Sequence, residues 1–496
     1  MGIGTDRAPG ALDDFLAQTP DWTPDPDVEG QERATLRVPA DYANPDWRTL
    51  EIAVSRIRAG DPARRRGVLL AANGGPGGVD GLGLRFPQTL RERSPRLAEV
   101  YDLIGFDPRG MGASTRLPAY VVLPKASFDS RPPDSLFPRI AEDMRAREAG
   151  CQRGGGDLRP HVNTRNSARD MDLLRAVLGE EKINFVGYAF GTVLGAAYGT
   201  LFPERLDRSL LDSCVHPDWT WRGLFLKQAE AIRHNVEAWA RWTGERDGHF
   251  GLGVSAPLVL ETVEAVAAEL GADPETVRLR TLFDGAVGNQ AGDRSKWAEL
   301  GYLIDRLRTA LAMGDGARVA ALLAETSTWR PGDQEGEVRE GVLEATTLET
   351  YWPSDLEEYY ADMRRFRDRY PYGYGVLRAQ PWVGAFRSYQ PLEPPVRAVR
   401  AGYPVGVVVQ AEGDPLDNYE GGVGMAQRLG HRLVTVADSG DHEIYLLGNN
   451  PAVNEIGDRY LVDGRLPDTD VIVPPTVARP DIPADVPAGI GALRAS

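Results

Sequence analysis

The sequence predicts an α/β protein in which a mostly parallel, doubly wound sheet is interrupted by a large helical insertion. Two apolar runs that end at glycine, GVLLAANGG (67–75) and VYDLIGFDPRG (100–110), are typical of buried parallel strands. Strands and helices alternate with short turns before about residue 216 and after about residue 400. Between these points long helical segments follow one another without strands, so the insertion is expected to be helical.

The individual elements follow from the same patterns. Helix 166–181 is predicted to start at Asn166 or Ser167 as N-cap and to bury one face. That face carries Met171, Leu174 and Leu178. Strand-like runs occur within 34–42, 49–57, 67–75, 100–110, 183–186 and 207–213, and parallel-strand character returns within 403–414 and 431–443.

These elements divide the chain into four parts. Residues 1–215 and 401–465 are expected to form the two halves of one α/β core. The insertion between them, 216–400, is too long to be a structureless loop. The last part, 466–496, is proline-rich and is predicted to be an irregular tail.

Composition narrows the possible functions. A formal net charge of −16 disfavours nucleic acid and anionic membranes as partners, because both carry negative charge themselves. No span approaches the ~18 apolar residues of a membrane helix, and residues 1–20 lack the apolar centre of a signal peptide, so a cytoplasmic location is expected unless a leader has been removed. Cys151 and Cys214 allow one disulfide at most and have no metal-ligand spacing, so we expect no metal or other cofactor.

The most informative motif lies within residues 183–211. Gly187, Tyr188, Ala189, Phe190 and Gly191 match the frame G-x-S-x-G, with alanine at the position of the serine. In this frame a nucleophile occupies a strained turn between a strand and a helix, and the two glycines avoid collisions with the neighbouring elements. The strand 183–186 and the small-residue helix 192–200 supply that context.

Two further residues complete a candidate catalytic triad with Ala189. Asp414 follows the strand-like run VGVVVQ, and His442 follows RLVTVADSGD, so both lie just beyond predicted strand ends. The chain order of nucleophile position, acid and histidine is the order of α/β-hydrolases. Asp417, three residues further on, is the alternative acid.

A glycine-rich loop, AANGGPGGVDG (71–81), comes directly after a buried strand and can supply an oxyanion hole. Gly74 or Gly75 is predicted to donate one backbone N–H, and Phe190, after the nucleophile position, the other. A phosphate-binding alternative fits poorly. The motif G-x-x-x-x-G-K-[ST] is absent, GMGAST (110–115) is only a partial G-x-G-x-x-G, and no H-E-x-x-H zinc motif occurs.

The chain resembles the tripeptidyl aminopeptidase and prolyl aminopeptidase group of α/β-hydrolases, particularly the secreted actinobacterial type. The segments that carry the resemblance include NGGPGG, YDLIGFDPRGMGAST, INFVGYAFGT, YGTLFPERLDRSLLD and GDPLDNYEGG. They fall within residues 34–215 and 400–467, and the insertion matches in position and length only. The resemblance implies an α/β-hydrolase fold with a helical cap (lid) over the site, and a serine hydrolase that releases short peptides or single residues from amides. It assigns Asp414 as acid, His442 as base, and Gly74, Gly75 and Phe190 as the oxyanion hole.

The chain also departs from this group. Secreted members carry extra cysteines near the cap and the C-terminus, which this chain lacks. Asp441 and Glu443 flank the histidine where glycines are expected, and they can either raise its pKa, bind a cationic group of the substrate, or be ordinary loop charges. We predict substrate contacts from Tyr188, Asp441, Glu443 and Trp352, with a small molecule or a short peptide as the substrate.

Alanine at position 189 has two explanations. One is a deliberate serine-to-alanine substitution that traps substrate, and the other is a natural ligand-binding protein on a hydrolase scaffold. The retained acid and base favour the first, because a protein without catalysis has no use for them. Cleavage of an amide, or of an ester or lactone in specialised metabolism, is the expected chemistry of the serine form.

Overall fold

The computed structural model describes residues 12–77, 82–120, 124–219, 221–272, 276–326 and 338–485. The end of the predicted glycine-rich loop, 78–81, and the end of the tail, 486–496, lie outside the described residues. The strands are β1 Thr23–Pro24, β2 Gln31–Pro39, β3 Thr49–Ile57, β4 Val68–Ala72, β5 Asp102–Phe106, β6 Pro118–Tyr120, β7 Ile183–Tyr188, β8 Leu206–Asp212, β9 Val338–Glu340, β10 Val407–Ala411, β11 Arg432–Val436 and β12 Val471–Val473.

The helices fall into three groups along the chain. The first part contains α1 Asp13–Leu16, α2 Leu82–Arg93, α3 Pro95–Val100, α4 Phe137–Gly155, α5 Thr164–Val177 and α6 Phe190–Leu201. The insertion contains α7 Trp221–Gly244, α8 Asp247–Phe250, α9 Ala256–Leu270, α10 Val277–Gly292, α11 Trp297–Ala312, α12 Gly316–Thr326, α13 Val342–Thr347, α14 Leu356–Arg369 and α15 Gly375–Ala379. The last part contains α16 Tyr419–Leu429 and α17 Pro451–Asp463.

Ten of the described strands form one sheet in the order β1-β2-β3-β5-β4-β7-β8-β10-β11-β12. The pairings β1–β2, β2–β3 and β3–β5 are antiparallel, and every pairing from β5 to β12 is parallel. Consecutive side chains of β4 point to opposite faces, so that Leu70 packs in the apolar cluster on one face and Leu69 in the cluster on the other. Helices cover both faces, and the predicted α/β-hydrolase fold with a mostly parallel doubly wound sheet is confirmed.

The insertion differs from the prediction in one respect, because it contains a strand. β9 pairs antiparallel with β6, which belongs to the first part of the chain. A second link joins the same two parts, since Ser130 donates to Asp284 of α10 at 2.6 Å. The helices of the insertion and residues around 118–155 therefore pack together, a contact between distant segments that no local pattern reveals.

Two further expectations were wrong in detail. Helix α5 begins at Thr164, with Asn163 as the N-cap whose side chain accepts from the backbone N–H of Asn166. Asn166 lies inside the first turn, because Asn163 provides the same capping chemistry three residues earlier. The tail is not irregular throughout, since β12 extends the sheet by pairing with β11.

None of the described helices combines the length and the apolar character that crossing a membrane requires. Cys151 and Cys214 are both buried free thiols, so they do not form the disulfide that the sequence allowed.

Candidate active site

The predicted site residues lie where neighbouring parallel strands end at one edge of the sheet. Gly74 follows β4, Ala189 follows β7, Asp414 follows β10 and His442 follows β11. Strand β4 pairs with β7 and β10 pairs with β11, while β8 joins the two pairs. The carboxyl edge of such a sheet is where open α/β proteins place their ligands.

Ala189 occupies the strained turn that the sequence predicts. Its backbone angles are φ 48° and ψ −117°, between the end of β7 and the start of α6. A residue with a side chain rarely adopts positive φ, and such strain costs of the order of 1–3 kcal/mol. The turn is held by the Ala189 N–H, which donates to the Asp212 carbonyl at 3.0 Å, and by the Thr192 N–H, which donates to the Ala189 carbonyl.

The two glycines of the frame are required by close backbone contacts. A Cβ on Gly187 would lie 2.5 Å from the Gly191 carbonyl oxygen. A Cβ on Gly191 would lie 2.3 Å from the Ala72 carbonyl oxygen at the end of β4. Both distances are far below van der Waals contact, so this turn can pack against its neighbours only with glycine at both positions.

Asp414 and His442 are hydrogen-bonded. Oδ2 of Asp414 lies 2.9 Å from Nδ1 of His442, and Asp414 is fully buried. Its other oxygen, Oδ1, accepts from the backbone N–H groups of Leu416 and Asp417 at 2.9 and 3.0 Å. Of the two candidate acids, Asp414 therefore holds the imidazole, and Asp417 lies behind it in the same turn.

Carboxyl groups dominate the electrostatics around the imidazole. Burial alone would lower the pKa of His442, but the hydrogen-bonded Asp414, together with Asp417 and Glu443, outweighs burial and raises the pKa to about 10. Burial raises the pKa of Asp417, and the charge of Asp414 raises it further. The imidazole is thus strongly stabilised in its cationic form, which is the form that a general base reaches after it takes a proton.

Glu443 brings a further carboxyl group directly into the site. Oε1 of Glu443 lies 4.0 Å from Nε2 of His442, the ring nitrogen that Asp414 leaves free. Burial raises the pKa of Glu443, and Asp414 adds to the effect, while His442 and a hydrogen bond from the Gly74 N–H oppose it. The backbone φ of Glu443 is 59°, a second strained position at the same edge of the sheet.

Gly74 links the nucleophile position to the predicted oxyanion donors. A Cβ built on Gly74 would lie 2.6 Å from the Ala189 methyl, 3.3 Å from Oε1 of Glu443 and 3.7 Å from the backbone nitrogen of Phe190. A Cβ on Gly75 would instead meet Gly77. Gly74, rather than Gly75, is therefore the residue of the loop that faces position 189.

This geometry brings the predicted residues into one site. The Ala189 methyl and the Glu443 carboxylate lie around the same point beside Gly74, and the carboxylate reaches Nε2 of His442. A backbone hydrogen bond from Gly74 lowers the pKa of the Glu443 carboxyl group, so the Gly74 N–H is directed towards a negatively charged oxygen at this point.

The side chain of Tyr188, one of the predicted substrate contacts, is directed into the core, and its contact with substrate stays a prediction. Tyr188 is fully buried, stacks on Phe86 with ring centroids 5.6 Å apart, and donates its hydroxyl to the Tyr445 carbonyl. Successive side chains of a strand point to opposite faces, so the residue before a nucleophile turn can face the core. Asp441 is half-buried and lies within Coulombic range of Arg294, on the side of the cap.

Aromatic side chains of the cap pack against Phe190, the residue after position 189. Phe190 contacts Trp221 with ring centroids 5.8 Å apart, and Phe225 joins Trp221 to Trp352 and Trp382. Trp352 is only 4% exposed and donates its Nε1–H to the Thr347 carbonyl. Trp352 thus forms an aromatic wall together with Phe190, Trp221, Phe225 and Trp382. Its contact with substrate stays a prediction.

Relatives of this chain include proteins named as peptidases and as an esterase. Tripeptidyl aminopeptidase from Streptomyces lividans is 32% identical over 463 residues, which cover 89% of this chain and 83% of that protein. This chain belongs to the tripeptidyl aminopeptidase family. Serine protease Hip1 from Mycobacterium tuberculosis is 28% identical over 91% of this chain and 90% of its own length, and Carboxylesterase B from the same species is 27% identical over 88% and 85%.

Two family models match separate parts of the chain. The model described as "alpha/beta hydrolase fold" matches residues 67–258, and the model described as "TAP-like protein" matches residues 378–472. The first match includes Ala189 and the second includes Asp414 and His442. This member of the tripeptidyl aminopeptidase family is thus an α/β-hydrolase, as its sequence motifs predicted.

Sequence reasoning missed two polar residues that hold the histidine loop of this tripeptidyl aminopeptidase relative. Asp212, at the end of β8, is buried, accepts from the Tyr445 N–H and also accepts from the Ser213 hydroxyl. Ser213 in turn accepts from the Glu443 N–H at 2.8 Å. Burial raises the pKa of Asp212 to about 7. The sequence did contain a signal for these two residues, because Asp212 and Ser213 stand at the carboxyl end of an apolar run, as Asp414 does.

Proposed function

We propose that this site hydrolyses an amide or peptide bond near a free N-terminus when serine occupies position 189, and that the alanine form binds the same substrate without turnover. The observation that carries the proposal is the 2.9 Å hydrogen bond between Asp414 and Nδ1 of His442. It leaves Nε2 as the ring nitrogen that faces Glu443, whose Oε1 also lies beside Gly74. Serine hydrolases use this arrangement to activate a hydroxyl group.

Each step of the reaction has a residue to perform it. Nε2 of His442 takes the hydroxyl proton of a serine at position 189, and the serine oxygen attacks the substrate carbonyl carbon. The Phe190 and Gly74 N–H groups stabilise the resulting oxyanion once the carbonyl oxygen displaces the Glu443 carboxylate from Gly74. His442 then returns the proton to the leaving amine, and water hydrolyses the acyl-enzyme by the same route.

The carboxylates around the site support a cationic substrate. Among the described residues, His442 is the basic side chain that lies beside Glu443, and His442 is already hydrogen-bonded to Asp414. A free N-terminal ammonium group would supply further positive charge close to the reacting carbonyl. The proposal of an exopeptidase also agrees with the names of the tripeptidyl aminopeptidase relatives.

The test compares the chain as it stands with Ala189→Ser. Peptidyl anilides with a free N-terminus are the substrates, and their N-acetylated counterparts are the matched controls. We expect the serine variant to release aniline with a kcat on the order of 10⁶-fold higher than that of the alanine chain. Absence of cleavage by the serine variant, with unchanged peptide binding by both proteins, would identify a non-catalytic binding protein instead.

A second candidate is an ester or lactone hydrolase that acts on a specialised metabolite. Two observations favour it: the aromatic wall around Phe190 can hold an apolar group, and one relative is named Carboxylesterase B. In the same experiment this function predicts that Ala189→Ser cleaves aryl esters and N-acylated substrates while it leaves the free peptidyl anilides intact.

A further inference from the structure

The cap meets both catalytic loops around the backbone of Gly413. The N–H of Gly413, the residue before Asp414, donates to the Ser439 carbonyl at 2.7 Å. Its carbonyl accepts from Nδ2 of Asn235 on α7 at 2.8 Å. The first bond ties the loop of the acid to the loop that leads to His442, and the second ties both loops to the cap.

A buried arginine of the cap completes this junction. Arg294, between α10 and α11, is 6% exposed and donates to the carbonyl oxygens of Ala291 and Gly292 at 3.1 Å. It also donates to Oδ1 of Asn235 at 3.1 Å and to Oδ1 of Asp438 at 3.4 Å. Arg294 therefore orients the Asn235 amide and reaches the histidine loop directly.

The junction is packed so closely that a side chain at Gly413 or Gly440 would collide with the cap. A Cβ on Gly413 would lie 2.4 Å from Nη2 of Arg294 and 2.6 Å from Oδ1 of Asn235. A Cβ on Gly440 would lie 1.8 Å from the carbonyl oxygen of Gly292, the last residue of α10. The backbone of both catalytic loops is thus in direct contact with the cap, with glycine at each point of contact.

We propose that Asn235 and Arg294 are positioning residues, through which the docked cap holds Asp414 in register with His442. Asp414 adjoins the Gly413 peptide, so a displacement of that peptide moves the carboxylate that orients the imidazole. A misplacement of about 1 Å in a catalytic array costs roughly 10²-fold in rate. Asn235 and Arg294 bond to the backbone of Gly413 and to Asp438 rather than to Asp414 or His442, so the role assigned to them is indirect.

The proposal can be tested on the chain as it stands, with alanine at position 189. The proton between Nδ1 of His442 and Asp414 gives a low-field proton resonance, and the ring carbons report the pKa of His442 by NMR. We expect Asn235→Ala and Arg294→Lys each to weaken or abolish the resonance. We also expect both to move the histidine titration to lower pH, because Asp414 raises the pKa of His442 more than Asp417 and Glu443 do.

Arg131→Lys is the matched control. Arg131 is a largely buried arginine that binds Glu264 and Asp284 of the cap, on α9 and α10. It should leave the resonance and the titration unchanged at a similar cost in thermal stability. In the Ala189→Ser background, Asn235→Ala and Arg294→Lys should lower kcat roughly 10²-fold with little change in KM.

Two results would overturn the proposal. One is an unchanged resonance and titration in both folded variants, which would show that the cap does not position the acid. The other is failure of both variants to fold while Arg131→Lys folds, which would make the pair a stabilising contact only. The NMR readout needs no turnover, so it stands apart from the question of which bond the serine form cleaves.

Discussion

The turn at Ala189 and the loop at His442 lie at the same edge of the sheet but are built in different ways. The turn is continuous in the chain, because β7, Ala189 and α6 are consecutive, and its flanking glycines leave space for close contact with the neighbouring strand β4. The histidine loop is held by distant partners, with Asp414 from β10 on the ring and Ser213 from β8 on the next backbone N–H. Local sequence can therefore specify a strained turn, whereas the charge around a base depends on which strands become neighbours.

The largest expected effect separates the two acids of the histidine site. In the Ala189→Ser background, Asp414→Asn should lower kcat about 10⁴-fold, because an amide at this position stabilises the wrong imidazole tautomer. Asp417→Asn is the matched control, since Asp417 adjoins Asp414 but does not bond to the ring. Steady-state kinetics on the cleaved substrate measure both. Equal losses in the two variants would mean that the acid has been misassigned.

An intermediate effect tests the local construction of the turn. Gly191→Ala should lower the free energy of unfolding by about 1–3 kcal/mol, because the added methyl group meets the Ala72 carbonyl oxygen. Gly316→Ala is the control, since a Cβ at Gly316, the first residue of α12, meets nothing within 4 Å. Urea unfolding followed by circular dichroism measures both. Similar stabilities for the two variants would show that the turn can relax and is not specified by its glycines.

The smallest expected effect concerns the added carboxylate of the histidine loop. In the Ala189→Ser background, Glu443→Gln removes a negative charge that raises the pKa of His442, so this pKa should fall. A base must be neutral to accept a proton, and its activity is lost as the pH falls below its pKa. The acidic limb of the pH-rate profile should therefore move to lower pH.

The same variant also tests the proposed contact with a substrate cation. Its kcat/KM should fall roughly tenfold for substrates with a free N-terminus, about the contribution of one hydrogen bond to a charged group, and should change little for N-acetylated ones. Asp441→Asn, on the other side of His442, serves as the control. A uniform change for both substrate types would contradict a role for Glu443 in charge recognition.

Much of the site could be predicted because its signals are confined to short segments. Asp414 and His442 each follow a recognisable buried strand, and parallel strands end at a common edge, so their proximity followed from topology. The choice between Gly74 and Gly75 could not be made from sequence, because it depends on how the loop folds back on position 189. The orientation of Tyr188 could not be predicted for a similar reason, since its side chain turns towards Phe86 in the core.

The cap shows the same limit on a larger scale. Its helices were evident from their length and composition, but β9 is three residues long and forms only against β6. The contact of Asn235 and Arg294 with Gly413 joins segments that are far apart in the chain. No periodicity or motif marks such a contact, because each partner is an ordinary polar residue until the fold brings them together.

By itself, the sequence determined the alternation of strands and helices, the glycine-framed turn at Ala189 and the order of acid and base along the chain. These features depend on steric and apolar patterns over a few consecutive residues. Only the tertiary structure decided that Asp414 rather than Asp417 binds the imidazole and that Glu443 lies beside the other ring nitrogen. It also decided that the cap contacts the loops that carry Asp414 and His442. Hydrogen bonds and charge interactions act over a few ångströms of space, irrespective of separation along the chain, so they are fixed only when the strands and the cap have packed.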